Sequence, residues 1–281
     1  MRTRASQRKQ IADTAWIRRI LMSITRRRLL AALSVVPLWS WGAESPSLST
    51  TEATAYWARV LQNYVNDHGQ VDFCRLAKDT SDLSTFVRYI GQVNPQSAPG
   101  RLANRNEVLA WYINSYNALS MLGVLESGIP EELGLLGRMW FFAGRRFRIG
   151  GRSTTLYTYE NSVIRAMGDE RVHFALNCMS VGCPRLPRQP FLGAELDHQL
   201  DDARRFFFSE RRNLQFDPLG STVRVSEILK FYREDFLRHS PTLIAYINRY
   251  AYLKIPEDVQ IEFIPYDWTI NAQYRPCMDG S

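Results

Sequence analysis

The sequence predicts an α+β domain, mostly helical with a small antiparallel or mixed sheet, preceded by an export signal. Three observations carry this expectation. Segments with apolar residues at helical spacing outnumber strand-like runs, the strand-like runs are short and bounded by turn residues, and the first 43 residues differ in charge from everything after them. No internal period of about 20 to 50 residues is present, so a repeat array is not expected.

Residues 1–43 read as the signal segment: a basic stretch, the apolar run LLAALSVVPLW from Leu29, and the small residues Gly42 and Ala43. The run is shorter than a comfortable membrane span. TRRRLL, Thr25 to Leu30, resembles a twin-arginine signal, and Met22 just upstream is an alternative start. Residues 44–50 form a short spacer and 51–281 the single globular domain. Nine basic residues lie in 1–43 against Asp13; removing them from the 35 basic and 28 acidic residues of the chain leaves 26 and 27. The net charge of +7 therefore belongs to the leader, and nucleic acid is not an expected partner. The expected location is periplasmic or secreted, with the membrane touched only through an uncleaved signal.

Within the domain, Ala53, Trp57, Val60, Leu61, Tyr64 and Val65 recur at helical spacing and define an amphipathic first helix before Gly69. A second helix covers DLSTFVRYI, and NPQSAPG is a loop. The helix from Asn104 or Asn106 to Gly128 is apolar on more than one face and should be central. MWFFAGRRFRIGGRSTTL predicts a hairpin turning at Ala143-Gly144 with a second turn at Gly150-Gly151. LYTYENSVIRAM predicts a helix carrying Glu160, and RVHFALNC a strand. GAELDHQLDDARRFFFSE is helical, NLQFDPLGSTVRV a hairpin turning at Asp217–Gly220, and VSEILKFYREDFL and SPTLIAYINRYA two more helices. IEFIPYDWTINAQY closes the domain as a strand and a polar-aromatic loop.

Four blocks, WYINSYNALS, LYTYENSVIR, RVHFALNCMSVGCPRL and YDWTIN, together resemble the domain of unknown function 547 family of bacteria and plants. Their order and spacing match it from about Trp57 to Asn271, and the chain is expected to be an exported bacterial member. Ser115 stands where that family usually has alanine, and Met179 where it usually has a smaller residue. The resemblance implies no activity, and gives no role to Cys74 or Cys277, which lie outside the blocks.

The chemistry must come from the residues. Cys178 enters a loop with small neighbours at Ser180 and Gly182 and is the candidate nucleophile of a hydrolase or acyltransferase. His173 is its candidate base, although an offset of five along an extended strand points the two side chains apart. Glu160, Asn117 and Asp267, with Asn114, are the available orienting groups; Asn114, Tyr116, Arg185, Trp268 and Asn271 are candidate ligand contacts. A second reading is a metal held by His173, Cys178 and Cys183, at a spacing atypical of zinc sites. A third is a Cys178–Cys183 disulfide shaping a non-catalytic binding or scaffolding module. The asparagines could equally pin a neighbouring loop. The expected ligand is a small molecule, peptide or glycan, and no cofactor can be named.

Overall fold

The computed structural model describes residues 48–95, 100–218, 221–274 and 277. The expected signal segment and most of the expected spacer lie outside the described residues. Helix α1 (Thr50–Tyr64) starts at a reciprocal cap in which Ser49 accepts from the Glu52 N–H while the Glu52 carboxylate accepts from the Ser49 N–H. Its apolar face packs on α3 (Ser81–Gln92), where Trp57 stacks on Phe86 with ring centres 5.8 Å apart. A short α2 (Phe73–Lys78), not expected from the sequence, lies between them under an Asp72 cap. Helix α4 (Arg105–Glu126) begins at Asn104, whose side chain accepts from the Glu107 N–H, and is buried on all sides from Leu109 to Met121.

Two sequence expectations fail here, both at short apolar runs that carry no period. The first is the turn at Ala143-Gly144: α5 (Leu135–Met139) continues into a π-helical segment, Trp140–Gly144, and Trp140 lies where a side chain on Gly144 would project. Strands β1 (Phe147–Ile149) and β2 (Arg152–Thr154) follow, paired antiparallel around the Gly150-Gly151 turn. Both glycines have positive φ, and the turn's two N–H groups donate to Ile90 and Gly91, ending α3. The second is the strand at RVHFALNC, which is a 3₁₀ helix, Glu170–Phe174, capped by the Asp169 side chain, followed by a loop. Before it, α6 (Leu156–Tyr159) runs without a break into a π segment, Glu160–Ile164, and a 3₁₀ turn that ends at Gly168.

The second half holds α7 (Leu196–Ser209), β3 (Leu214–Phe216), β4 (Thr222–Ser226), α8 (Ile228–Phe231), α9 (Arg233–Leu237), α10 (Leu243–Asn248) and β5 (Gln260–Ile264). The sheet order is β3-β4-β5, antiparallel on one side of β4 and parallel on the other. With ten α-helices and two small sheets among the described residues, the fold is α+β. No helix among the described residues is long and apolar enough to cross a membrane.

There are two cores. One surrounds α4; the other gathers Phe174, Phe207, Phe208, Val225, Phe236 and Tyr246 against the three-stranded sheet. Helix α7 runs from one to the other, giving Leu196 and Leu200 to the first and Phe207 and Phe208 to the second. Tyr266 packs against both, which places the segment after β5 on the seam between them.

Candidate functional site

The loop from Asn177 to Pro184 is shaped by one side chain. Asn177 accepts from the Met179 N–H at 2.7 Å and donates to the Pro184 carbonyl at 2.7 Å, while its own N–H donates to Asn117 on α4 at 2.8 Å. Met179 is held at φ 67°, a left-handed conformation that costs a non-glycine residue on the order of 1 kcal/mol or more. The chain thereby doubles back, and the Cys178 and Cys183 sulfurs meet at 2.9 Å with no bond between them. The disulfide among the described residues joins Cys74 to Cys277 instead.

The tail after β5 lies along this loop. Val181 and Gly182 donate to Thr269 and Asp267, and Asn271 donates to Met179, each at 2.8 Å. A side chain at Gly182 would strike the Tyr266 ring and the Asp267 backbone, so glycine there is what lets the tail approach. The consequence is that the Tyr266 hydroxyl reaches 2.9 Å from the Cys183 sulfur and 3.3 Å from that of Cys178. Cys183 donating to Cys178 draws the Cys178 thiol down to about 7, against the opposing effect of burial, with further help from Tyr266 and Ser180. Burial and the neighbouring sulfur push Cys183 well above the usual thiol range. The two behave as one unit that loses its first proton near neutrality and holds its second. Tyr266 is itself pushed up by burial and remains a donor.

Beside the sulfurs stand two acidic centres. His173 Nε2 donates to Asp235 Oδ2 at 2.8 Å, which fixes the tautomer and leaves Nδ1 unprotonated; Nδ1 has no hydrogen bond among the described residues. The ring stacks on Tyr232 at 3.8 Å, and burial lowers its pKa, so it is neutral at pH 7. Asp235 also accepts from Arg165 and Arg238; burial pushes its carboxyl up, but the His173 and Arg165 bonds outweigh it and hold it well below the usual range. Glu160, the first residue of a π segment, accepts from the Tyr116 hydroxyl at 2.8 Å and the Tyr232 hydroxyl at 2.5 Å. Single π turns inside helices are frequent at functional sites. Burial first, and Glu160 second, raise both phenols well above 10.

The two sulfurs, Tyr266, His173, Tyr232, Tyr116 and Glu160 share one cavity of about 70 Å³, open on one side and lined also by Phe142, Phe231 and Trp268, at the seam between the two cores, with Asp235 behind His173 and outside the lining. That volume takes about two water molecules or one small group.

Of the residues singled out from the sequence, Cys178, Cys183, His173, Glu160, Tyr116 and Trp268 line the cavity. The others do not. Asn114 grips the backbone of Phe191 by both its N–H and its carbonyl, and Asn117 bridges the Ala175 carbonyl and the Asn177 N–H, so both pin loops. Asn271 donates to the Gly69 carbonyl. Arg185 bonds the Asp67 carbonyl and lies over the Phe206 ring. Asp267 is exposed, and its carboxylate accepts from the Thr269 N–H two residues on. His173 is oriented by Asp235, not by any of the groups expected to do so, and makes no bond to Cys178. His173, Cys178 and Cys183 are not gathered as a metal site: no group of three metal-ligating side chains occurs among the described residues. Sequence reasoning missed Asp235 and Tyr232, neither of which sits in a pattern that distinguishes it from a surface acid or a core aromatic; the Tyr266-Asp267-Trp268 loop is a sequence expectation for the pocket, and Tyr266 and Trp268 line it while Asp267 does not.

Fold and site define a class: an α+β protein with a buried thiol pair facing a carboxylate and a neutral imidazole across a small cavity. Residues 100–208 match the family described as "Protein of unknown function, DUF547". The match includes Glu160 and the whole cysteine loop but not Asp235 or Tyr266. Comparisons with curated proteins and with solved structures gave no match.

Proposed function

We propose that the protein is a cysteine-dependent enzyme of acyl transfer, a hydrolase or acyltransferase, acting outside the cytoplasm after export, with Cys178 as nucleophile. The observation that carries this reading is a cysteine whose thiol is drawn down to about 7 inside a cavity that also holds an unprotonated imidazole nitrogen. A thiolate populated at neutral pH needs no base to activate it. It attacks the acyl carbon, the leaving group departs, and a thioester forms. His173 acts in the second half: its Nδ1 takes a proton from water or from an acceptor hydroxyl as that oxygen attacks, and Cys178 leaves as thiolate. Asp235 supports the imidazolium that forms, and Glu160 with its two tyrosines is an acidic network at the same cavity. The space of about 70 Å³ admits the reacting group alone, so a peptide or glycan substrate would leave its bulk outside, against the aromatic rim.

The test is p-nitrophenyl acetate and a small acyl thioester offered to the reduced protein, with intact mass read during turnover. One acetyl group on the 171–186 peptide, absent in Cys178→Ser with an unchanged Tm, is the expected result. A folded protein that acquires no acyl group at Cys178 at any pH between neutrality and the ordinary thiol range refutes the proposal, and leaves the non-catalytic binding module as the reading to pursue.

A further inference from the structure

We infer that Cys178 and Cys183 are a thiol–disulfide couple that reacts with low-molecular-weight disulfides and closes into a bond inside the cavity. This inference shares with the proposed function the reactive Cys178 and is otherwise independent of acyl chemistry. The sulfurs lie 2.9 Å apart, so closing to a bond of about 2 Å asks for a movement of roughly 1 Å between them. Both line the cavity, whose open side is the route by which one sulfur of a small disulfide would reach them.

The two sulfurs also differ in the way sequential exchange requires. Cys178 ionises first and attacks; Cys183, held protonated behind it, resolves. The Tyr266 hydroxyl, within reach of both, is placed to pass a proton as charge moves from one sulfur to the other. Only four residues separate the cysteines, so closing the loop gains little from chain entropy and the bond remains easily reduced. Cys74–Cys277, which spans 203 positions and does not line the cavity, has the opposite character and serves as the structural disulfide.

In the reaction, the Cys178 thiolate attacks one sulfur of a disulfide RSSR, forming a mixed disulfide and expelling RS⁻. Cys183 then gives up its proton and attacks the Cys178 sulfur; the Cys178–Cys183 bond forms as the bond to R breaks and a second RS⁻ leaves. Two protein thiols are oxidised, RSSR is reduced to two RSH, and the protons lost by the cysteines are those the two RS⁻ take up. In the closed form Cys178 is no longer a nucleophile, so the couple would also switch off acyl transfer.

The experiment is equilibration of the folded, full-length protein in buffers of glutathione and glutathione disulfide, acid quenching, alkylation, and peptide mapping of residues 171–186. Both alkyl groups should vanish together as the buffer becomes oxidising, reversibly, with alkylation at Cys178 falling by about tenfold or more. Cys183→Ser should stop at a mixed glutathione disulfide on Cys178; the wild-type titration stands without it should that variant fail to fold. Two thiols that stay alkylable across the whole series, or a wild-type protein that stops at the mixed disulfide, overturn the inference. A protein that closes yet transfers no acyl group keeps this inference and loses the previous one; acyl transfer without closure does the reverse.

Discussion

Replacing Tyr266 by phenylalanine removes the hydroxyl that lies 2.9 and 3.3 Å from the two sulfurs while keeping the ring whose centre is 4.4 Å from that of Trp268. A hydrogen bond to an ionised partner contributes about 1.5–3 kcal/mol, or one to two units of the Cys178 pKa. With the wild-type thiol at about 7, half of it is thiolate at pH 7. A rise of one unit leaves about a tenth and a rise of two about a hundredth, so alkylation by iodoacetamide at pH 7 should slow by roughly five- to fiftyfold. The intrinsic reactivity of the thiolate rises slightly as its pKa rises, so the two rates should converge, and then cross, at high pH. The assay is the pH–rate profile of alkylation at Cys178, read by peptide mapping. An inflection that stays near 7 in Tyr266→Phe, or a rate lowered equally at every pH, would refute the argument that this hydroxyl stabilises the thiolate.

The other expectations concern what holds the site. Burial depresses His173, so its contribution to stability is present above its ordinary pKa of 6.5 and declines as pH falls below it; Asp235, held low by His173 and Arg165, contributes above 3.8 and loses that contribution as pH falls further. Asp235→Asn should therefore cost about 2 kcal/mol at neutral pH, a deficit in urea midpoint that shrinks below about pH 4; a deficit constant with pH would contradict this. Asn117→Ala strands the Ala175 carbonyl and the Asn177 N–H, at a cost of about 2–4 kcal/mol by chemical denaturation. Asp267→Ala loses one exposed turn bond and should cost under about 1 kcal/mol, with the Cys178 inflection unmoved. Cys74→Ser removes a link across 203 positions and should lower stability by about 2–5 kcal/mol, read as Tm under non-reducing conditions.

What the sequence discloses and what it hides follow from range. Helices α1, α3, α4 and α7 and the β3–β4 hairpin are legible because each is specified by its own residues: a period of 3.6 with a polar cap, or two alternating runs about a turn. Residues 139–144 and 170–178 are not, because an apolar run of a few residues fits a strand and a buried helical turn alike, and tertiary packing decides between them. The site divides in the same way. The Cys178–Cys183 loop announces its chemistry locally. Asn114, Asn117 and Asn271 do not, since an amide that grips backbone and one that grips a ligand are the same residue in sequence. Asp235 reaches His173 across 62 positions and Tyr266 reaches Cys178 across 88, distances over which no local pattern links two residues.

The capping of the sulfurs by Tyr266 also sets an order of assembly. A ribosome delivers Cys74, Cys178 and Cys183 long before the residue that will roof the last two, and contacts that span so much chain form late because loop closure must come first. For that interval the nascent protein carries three bare thiols and no completed seam between its cores. An early link between Cys74 and either loop cysteine would leave Cys277 without its partner. Closing the seam before an oxidant reaches the thiols would favour the Cys74–Cys277 pairing over either wrong one.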